Sequence, residues 1–471
     1  MKLRTALLTT ALMVFMTSLG CMKIGPDFTR PDTEFKIPAA YQHTSGDVAT
    51  RAPDEQWWRI FNDPELTKLA DTVLCNNLDI KEATARILEI QSYFVQSRAD
   101  RYPAANLEAE VRRQRIVPGV EADYYNLSLP ASFELDLWGR LARTEEAARA
   151  DLLQAEDNAR TVAHTVVAEA ITLYLEIESL ERRIQITDHS VQNYRRNLAL
   201  VERRYEGGLT SVLDLRQSRR ILAQAEANLP QLRQELGAKQ QQLAVLAGKY
   251  PTTQPPRLQP DEYFTRLDPV PPGLPSELLL QRPDITAAEA NLRALNARIG
   301  VATASRFPRI ALTGSFGYAS AEFDELFNLK SNIWNIALGF TQPLFDAGKL
   351  KAGQKAAEAR YRQGLAQYVK TVLTAFADVE RALLTRRQQL EKRKRILNFL
   401  TEARATQQVA ESRYERGLVD YLVVLDAQQT RFQAEENLVL VDLAIMSNRV
   451  ALHRALGGGW TDPPTSEKGE S

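Results

Sequence analysis

The feature that most constrains this chain of 471 residues is an internal repeat. Arg204-Tyr205-Glu206, Gly208-Leu209, Leu213 and Gln224-Ala225-Glu226 recur as Arg413-Tyr414-Glu415, Gly417-Leu418, Leu422 and Gln433-Ala434-Glu435, always 209 positions on. The same shift carries Gly139-Arg140-Leu141 onto Gly348-Lys349-Leu350. Upstream, Asp79-Ile80 and Arg101-Tyr102-Pro103 match Asp284-Ile285 and Arg306-Phe307-Pro308, now 205 positions on. The change of offset falls between Pro103 and Gly139, or between Pro308 and Gly348, where a loop absorbs it. One supersecondary unit is therefore expected twice, over 63–250 and 276–460.

Each copy reads in the same order. A helix over about 63–100, or 284–305, ends at Tyr102-Pro103 or Phe307-Pro308. Period-two alternation follows: Leu107, Ala109 and Val111, then Leu127, Leu129, Ala131, Phe133 and Leu135. The second copy has Ile310, Leu312, Phe316 and Tyr318, then Trp334, Ile336, Leu338 and Phe340. Four strands in two hairpins, at about 104–136 and 309–345, are expected, each with one apolar face. A solvent-facing sheet packed on a soluble core is the alternative fate of such a pattern. Beyond each hairpin, about 140–248 and 349–457, lies a long helical hairpin. No Pro or Gly interrupts Arg140 to Tyr205, so one helix of roughly 100 Å is possible at about 1.5 Å per residue. Gly207-Gly208 and Gly417 reverse the chain. On the returning helix, Leu222, Ala225, Leu229, Leu232 and Leu236 form a 3-4-3-4 seam, which Pro230 is expected to kink. Eight prolines between Pro251 and Pro275 mark a connector, and the polar segment 461–471 reads as a disordered tail.

The N-terminus reads as an export signal over 1–20: Lys2 and Arg4, then an apolar run from Ala6 to Phe15. Ser18-Leu19-Gly20-Cys21 resembles a bacterial lipobox, with Leu one place nearer the Cys than usual. Cys21 is thus the expected lipidation site, heading an extended anchor segment over 21–62, although an ordinary signal peptide containing a Cys has the same outline. Its acylation leaves Cys75 alone, which excludes a disulfide framework. Lys plus Arg and Asp plus Glu each number 59, so no charge excess points to nucleic acid. No other apolar run is long enough for a transmembrane helix, so an exported chain like this one can span a membrane only by strands.

Four strands cannot close a membrane barrel, and open strand edges are not tolerated in lipid. Three copies would supply twelve strands, and long helices with narrow apolar seams likewise need neighbours. A structural coiled-coil lipoprotein would account for the helices and the anchor but not for two amphipathic hairpins at matching repeat positions. An enzyme finds no support: His43, His164, His189 and His453 are scattered, without a metal-ligand pair, and no phosphate loop or nucleophile elbow occurs. No catalytic residue, cofactor or metal site is assigned.

Specific stretches resemble the lipoprotein (NodT-like) branch of TolC-like outer-membrane factors. They are Gly25-Pro26-Asp27-Phe28-Thr29-Arg30-Pro31; Trp57-Trp58 with Phe61-Asn62-Asp63-Pro64-Glu65-Leu66; Gly273-Leu274-Pro275-Ser276-Glu277-Leu278-Leu279 with Arg282-Pro283-Asp284-Ile285; and Ala455-Leu456-Gly457-Gly458-Gly459-Trp460. The resemblance implies a mainly α fold with a transmembrane β part. Its homotrimer would form a 12-stranded β-barrel continuous with a periplasmic α-helical barrel. It implies a lipid-anchored outer-membrane protein reaching into the periplasm, a passive exit duct for small molecules. A periplasmic adaptor and an inner-membrane pump, foremost of the resistance-nodulation-division class, would be its partners. Leu422 and Asp426, four apart on one helical face, match the family's pore constriction; seam core and a solvated carboxylate are the plainer reading. Asp214 and Tyr414 match a closed-state latch, against an exposed carboxylate and a packed aromatic. Gly207, Gly208, Leu209, Gly417 and Leu418 match the adaptor-docking tips, where Gly also simply permits the turn. Val419 stands where some relatives carry a basic latch residue, and Val423 replaces a second acidic ring residue.

Overall fold

A computed structural model describes residues 23–31, 36–43, 56–117, 120–258 and 282–458. The expected signal peptide, Cys21, most of the Pro-rich connector and the tail 461–471 lie outside the described residues. A 3-10 helix (Trp57–Phe61) lies in the segment expected to be an extended anchor, and the first repeat then contributes α1 (Pro64–Asn76), α2 (Leu78–Ala99), β1 (Ala104–Ala105), β2 (Glu108–Val117), β3 (Val120–Leu135), α3 (Arg140–Glu206) and α4 (Val212–Leu246). The second contributes α5 (Pro283–Ala304), β4 (Arg309–Ser320), β5 (Asn332–Thr341), α6 (Lys349–Glu415) and α7 (Tyr421–Ala455). The copies agree in length: α3 and α6 both have 67 residues, α4 and α7 both 35. The chain divides into two compact units, each drawing on both repeats.

One unit takes residues up to 34, 85–157 and 284–371 and contains the sheet. The strands run β2-β3-β4-β5, all antiparallel, with β1 sharing the β2 edge of β3. Pro130 explains that split edge. Its carbonyl accepts from Asn106 N at 2.9 Å, so its missing N–H leaves a gap on the same side, between β1 and β2. In register, Leu127 faces Tyr318, Leu129 faces Phe316 and Phe133 faces Leu312, so apolar side chains share one face across strands. A Cβ on Gly317 would lie 2.3 Å from the Leu127 carbonyl oxygen, so glycine sets how closely β3 and β4 approach there. The apolar face is not packed on a core. Trp334, Ile336, Leu338 and Phe340 are 71, 74, 63 and 67% exposed. That exposure is the opposite of what a core-packed sheet requires.

The same unit holds the N-terminal segment 23–31 as a strap. Arg143, 1% exposed, donates through Nη2 to the Gly25 carbonyl (3.2 Å) and to Asp27 Oδ1 (2.8 Å). Asn296 Nδ2 donates to the Pro26 carbonyl (2.8 Å), and Arg30 pairs with Glu289 at 2.8 Å. A Cβ on Gly25 would lie 2.6 Å from Gly300 Cα, so this backbone crossing admits only glycine at that point. Ile24 N donates to the Trp138 carbonyl at 3.1 Å, where the chain leaves β3.

The other unit takes 35–84, 158–283 and 372–471, and the elements among its described residues are helices. Asp63 caps α1, accepting from Glu65 N (2.8 Å) and Leu66 N (3.1 Å), with Pro64 at the first helical position. The single helix expected over 63–100 is in fact two. Asn77, 2% exposed, takes an extended ψ of 136°, accepts from Ile80 N and donates to the Leu246 carbonyl at 2.9 Å. An amide bonded locally and across to α4 competes with the helix and breaks it. Pro230, by contrast, does not interrupt α4, which runs unbroken through it. The seam on both sides of Pro230 holds the helix in place: Ala225, Leu232 and Leu236 are buried, the last two against Ile177, Leu180 and Ile184 of α3. A further cluster packs Trp57, Trp58, Phe61 and Leu66 on Ile171, Leu175, Met446 and Val450.

Candidate functional site: the helical tips and their constriction

Both helical hairpins turn by the same device. Leu209 N donates to the Arg204 carbonyl (2.7 Å) and Gly208 N to that of Tyr205 (3.0 Å). Leu418 N and Gly417 N do the same to Arg413 and Tyr414, each at 2.9 Å. This is a Schellman closure, and Gly208 (φ 68°) and Gly417 (φ 72°) occupy its left-handed position. The following residues, Leu209 and Leu418, are exposed and unused by their own hairpins.

The restarts differ. Ser211 begins α4 with a reciprocal capping box: its Oγ accepts from Asp214 N, and Asp214 Oδ2 accepts from Ser211 N, both at 3.2 Å. Thr210 Oγ1 adds a bond to Asp214 Oδ2 at 2.8 Å. Partial burial opposes ionisation of Asp214, but these hydrogen bonds outweigh it and hold the carboxyl below its ordinary range. Asp420, the counterpart at the start of α7, makes no side-chain cap.

On α7, Tyr421, Val424, Leu425 and Gln428 are buried, while Leu422, Val423 and Asp426 are exposed. Leu422 and Asp426 thus share a face turned away from the chain's own core. Leu213, the repeat counterpart of Leu422, is also exposed. Asp214 and Tyr414 are not joined within one chain. Asp214 bonds its own turn, and the buried Tyr414 hydroxyl has no hydrogen-bond partner among the described residues. The contact across the two tips runs instead through Arg204, whose guanidinium lies 4.7 Å from the Tyr414 ring centre. Tyr414 packs on Tyr421 at 5.1 Å, and burial pushes the Tyr421 hydroxyl up to about 12. Sequence reading missed Arg204 and Tyr421. The recurring Arg-Tyr-Glu motif held the signal for Arg204; nothing local marked Tyr421.

Farther along α3, Glu178 faces Asp63, Glu181, Arg257 and Tyr174. Tyr174 donates to Asp63 Oδ2 at 2.7 Å, and Arg257 Nε to Glu181 at 3.2 Å. Burial, then the charge on Asp63, push the Glu178 carboxyl up to about 7, against the pull of Arg257. His453 stacks on Trp57 at 4.9 Å, and burial holds its imidazole down to about 3, with Arg449 adding to the effect. A cavity of about 670 Å³ between α3, α6 and α7 is crossed by ion pairs, Arg393 with Asp442 (2.6 Å) and Arg404 with Glu435 (3.1 Å). Among the described residues no group of three or more His, Cys, Asp or Glu is placed to hold a metal ion. No described helix is long and apolar enough to cross a membrane.

The comparisons with known proteins agree with this geometry. The outer membrane efflux protein family model matches residues 69–249 and 274–458. The solvent efflux pump outer membrane protein SrpC of Pseudomonas putida is 32% identical over 95% of this chain and 98% of its own length. The cation efflux system protein CusC of Escherichia coli is 31% identical over 95% of this chain and 97% of its own. The solved outer-membrane channel OprN superposes with a TM-score of 0.86 at 29% identity, covering 93% of this chain and 99% of that one. The chain therefore belongs to the outer membrane efflux protein family, and it is an outer-membrane efflux channel subunit.

Proposed function

We propose that three copies of this chain close into a passive exit duct, joined at the hairpin tips to a periplasmic adaptor and an inner-membrane pump. The observation that carries this reading is the sheet. It exposes a continuous apolar face, and the outer edges of β2 and β5 have no strand partner among the described residues. An edge of that kind is stable in lipid only when another strand closes it. Three copies bring twelve strands, within the range of closed membrane barrels. The chain is a conduit rather than an enzyme.

Within the duct, Leu422 and Asp426 of each copy form the narrowest ring, an apolar plug beside an anionic one. Their shared exposed face on α7 supports this assignment. Asp214 and Tyr414 contribute to the closed state, with Arg204 as the contact between tips. Gly207, Gly208, Leu209, Gly417 and Leu418 present the adaptor-docking end, supported by the exposure of both leucines. Cys21 carries the lipid anchor, and resemblance to the lipoprotein branch supports a pump of the resistance-nodulation-division class. Planar-bilayer recording of the purified protein tests the reading. Leu422→Ala with Asp426→Asn is expected to raise single-channel conductance severalfold. Conductance equal to the parent's would remove the constriction, and no channel activity in either protein would remove the duct.

A further inference from the structure

The cavity between α3, α6 and α7 is walled by a single chain, and its charge is unevenly placed. α6 contributes Arg393, Leu397, Leu400 and Arg404, and α7 contributes Arg431, Glu435, Leu438 and Asp442. Each set is spaced 4-3-4, so each forms one stripe along its helix. Arg404, Arg431 and Glu435 gather at the end nearer the tips, and Arg393 and Asp442 at the other. Leu397, Leu400 and Leu438 lie between, with Ile186 of α3.

The far end is a simple pair, with Arg393 Nε donating to Asp442 Oδ1 at 2.6 Å. At the near end two guanidiniums share one oxygen. Arg404 Nη2 and Arg431 Nε both donate to Oε1 of the mostly buried Glu435 at 3.1 Å. Gln407 Oε1 accepts from Arg431 Nη1 at 3.3 Å. Glu411 Oε1 accepts in turn from Gln407 Nε2 at 2.7 Å and from Gln428 Nε2 at 2.8 Å. An ionised carboxylate only accepts, so Glu411 orients both amides and turns the oxygen of Gln407 toward Arg431. Arg431 is thus fixed on two sides, and each guanidinium has more donors than these bonds use.

The first repeat is a control within the same molecule. At a shift of 209, Arg404 and Glu435 fall on Arg195 and Glu226, which pair one to one at 2.7 Å. Glu411 and Gln428 fall on Glu202 and Arg219, a second simple pair at 2.9 Å. Arg431 falls on Leu222 and Gln407 on Leu198, both packed against the cluster that contains Tyr194 and Tyr421. The two repeats therefore hold the same charges in this stretch but place them differently. In the second, the cation that would face Glu411 stands instead one turn on, at the cavity. That arrangement is unfavourable by itself, because it sets two like charges side by side and leaves a carboxylate to amides alone. Helix packing does not demand it, since the first repeat does without it.

We infer that this cavity binds an amphiphilic organic anion, its carboxylate or sulfonate on Arg404 and Arg431 and its apolar body along Leu397, Leu400 and Leu438. The anion supplies the second negative partner that two guanidiniums on one carboxylate lack, in the two-point geometry that arginine favours. A volume of about 670 Å³ is that of a small-molecule site, and apolar walls with a few fixed polar groups are the usual lining of one. From Arg431 to Asp442 α7 rises about 16 Å, which leaves room for a medium-length acyl chain. The site lies within one chain and apart from Leu422 and Asp426, so it depends on neither the ring nor the constriction.

Equilibrium dialysis of the full-length protein in a neutral maltoside detergent tests the inference, with radiolabelled decanoate as the probe and decan-1-ol as its uncharged match. Chambers holding detergent alone correct for uptake by micelles. Decanoate is expected to bind saturably, one per chain, and decan-1-ol is not. Arg431→Leu installs the residue of the first repeat, and Arg404→Gln changes an exposed side chain; each is expected to weaken decanoate binding about tenfold. Arg195→Gln, in the first repeat, should leave it unchanged. Unfolding midpoints near the parent's show that the variants are folded. Saturable binding of the alcohol as tight as that of the acid overturns the inference. So does decanoate uptake no greater than that of detergent alone, or a loss in Arg195→Gln as large as in Arg404→Gln. Binding that survives both Arg404→Gln and Arg431→Leu places the anion elsewhere and overturns it too.

Discussion

Removing one buried charge should alter how this protein's stability depends on pH. The Glu178 carboxyl has an ordinary value of 4.5 and is pushed up to about 7 in the fold, first by burial and then by Asp63, with Glu181 adding to the effect. Between those two values the folded protein holds a proton that the unfolded chain has released. Stability therefore falls as pH rises through this window, and the loss is complete above pH 7. The change from 4.5 to about 7 corresponds to about 3 kcal/mol. Glu178→Gln keeps the shape and cannot ionise. Relative to the parent it should be near neutral at about pH 4.5, and more stable by several degrees in unfolding midpoint at pH 8. The assay is thermal unfolding in detergent, followed by tryptophan fluorescence, since Trp57 and Trp58 share the cluster that contains Tyr174. Taking the difference between variant and parent at each pH cancels the other titrating groups. A difference that stays flat from pH 4.5 to 8 would show that Glu178 is ionised in the fold and that Arg257 prevails.

His453 predicts the opposite limb. Its imidazole is held near 3 against an ordinary 6.5, so the unfolded chain takes up the proton first and stability falls as pH drops below about 6.5. His453→Phe, which keeps a ring against Trp57, should flatten that acid limb; an unchanged slope between pH 6.5 and 4 would refute the buried neutral imidazole. Cys21→Ala should abolish fatty-acid labelling while leaving the three-copy particle intact by native mass, because barrel closure does not need the lipid. Loss of the particle in that variant would show that assembly depends on the anchor.

The sequence made the order of elements legible because period two and period 3.6 are local signals, and the repeat supplied each of them twice. What it concealed was set by partners distant in the chain. Asn77 reads as one polar residue in a helix until Leu246 accepts its amide. Pro230 reads as a break until the seam around it is seen to carry the helix through it. Arg143 looks like a solvated charge on a helix, yet it is buried because Gly25 and Gly300 let the N-terminal strap cross above it. The tips show the same division. Gly208 and Gly417 announce their turns locally. Asp214 is held by its own capping box, and the tip-to-tip contact falls to Arg204 instead.

The matched helix lengths carry a consequence for how such a duct can change in evolution. One residue inserted in a helix advances what lies beyond it by about 1.5 Å and rotates it by roughly 100°. An insertion in α3 alone would turn Tyr194 and Val201 out of the cluster they share with Tyr414 and Tyr421. It would also leave one tip ahead of the other. The reach of this protein can therefore be edited only in steps: near-whole turns, made together in outgoing and returning helices and copied into both repeats. Its 67- and 35-residue helices behave like gear teeth, a length that selection can lengthen or shorten by whole notches but not adjust continuously.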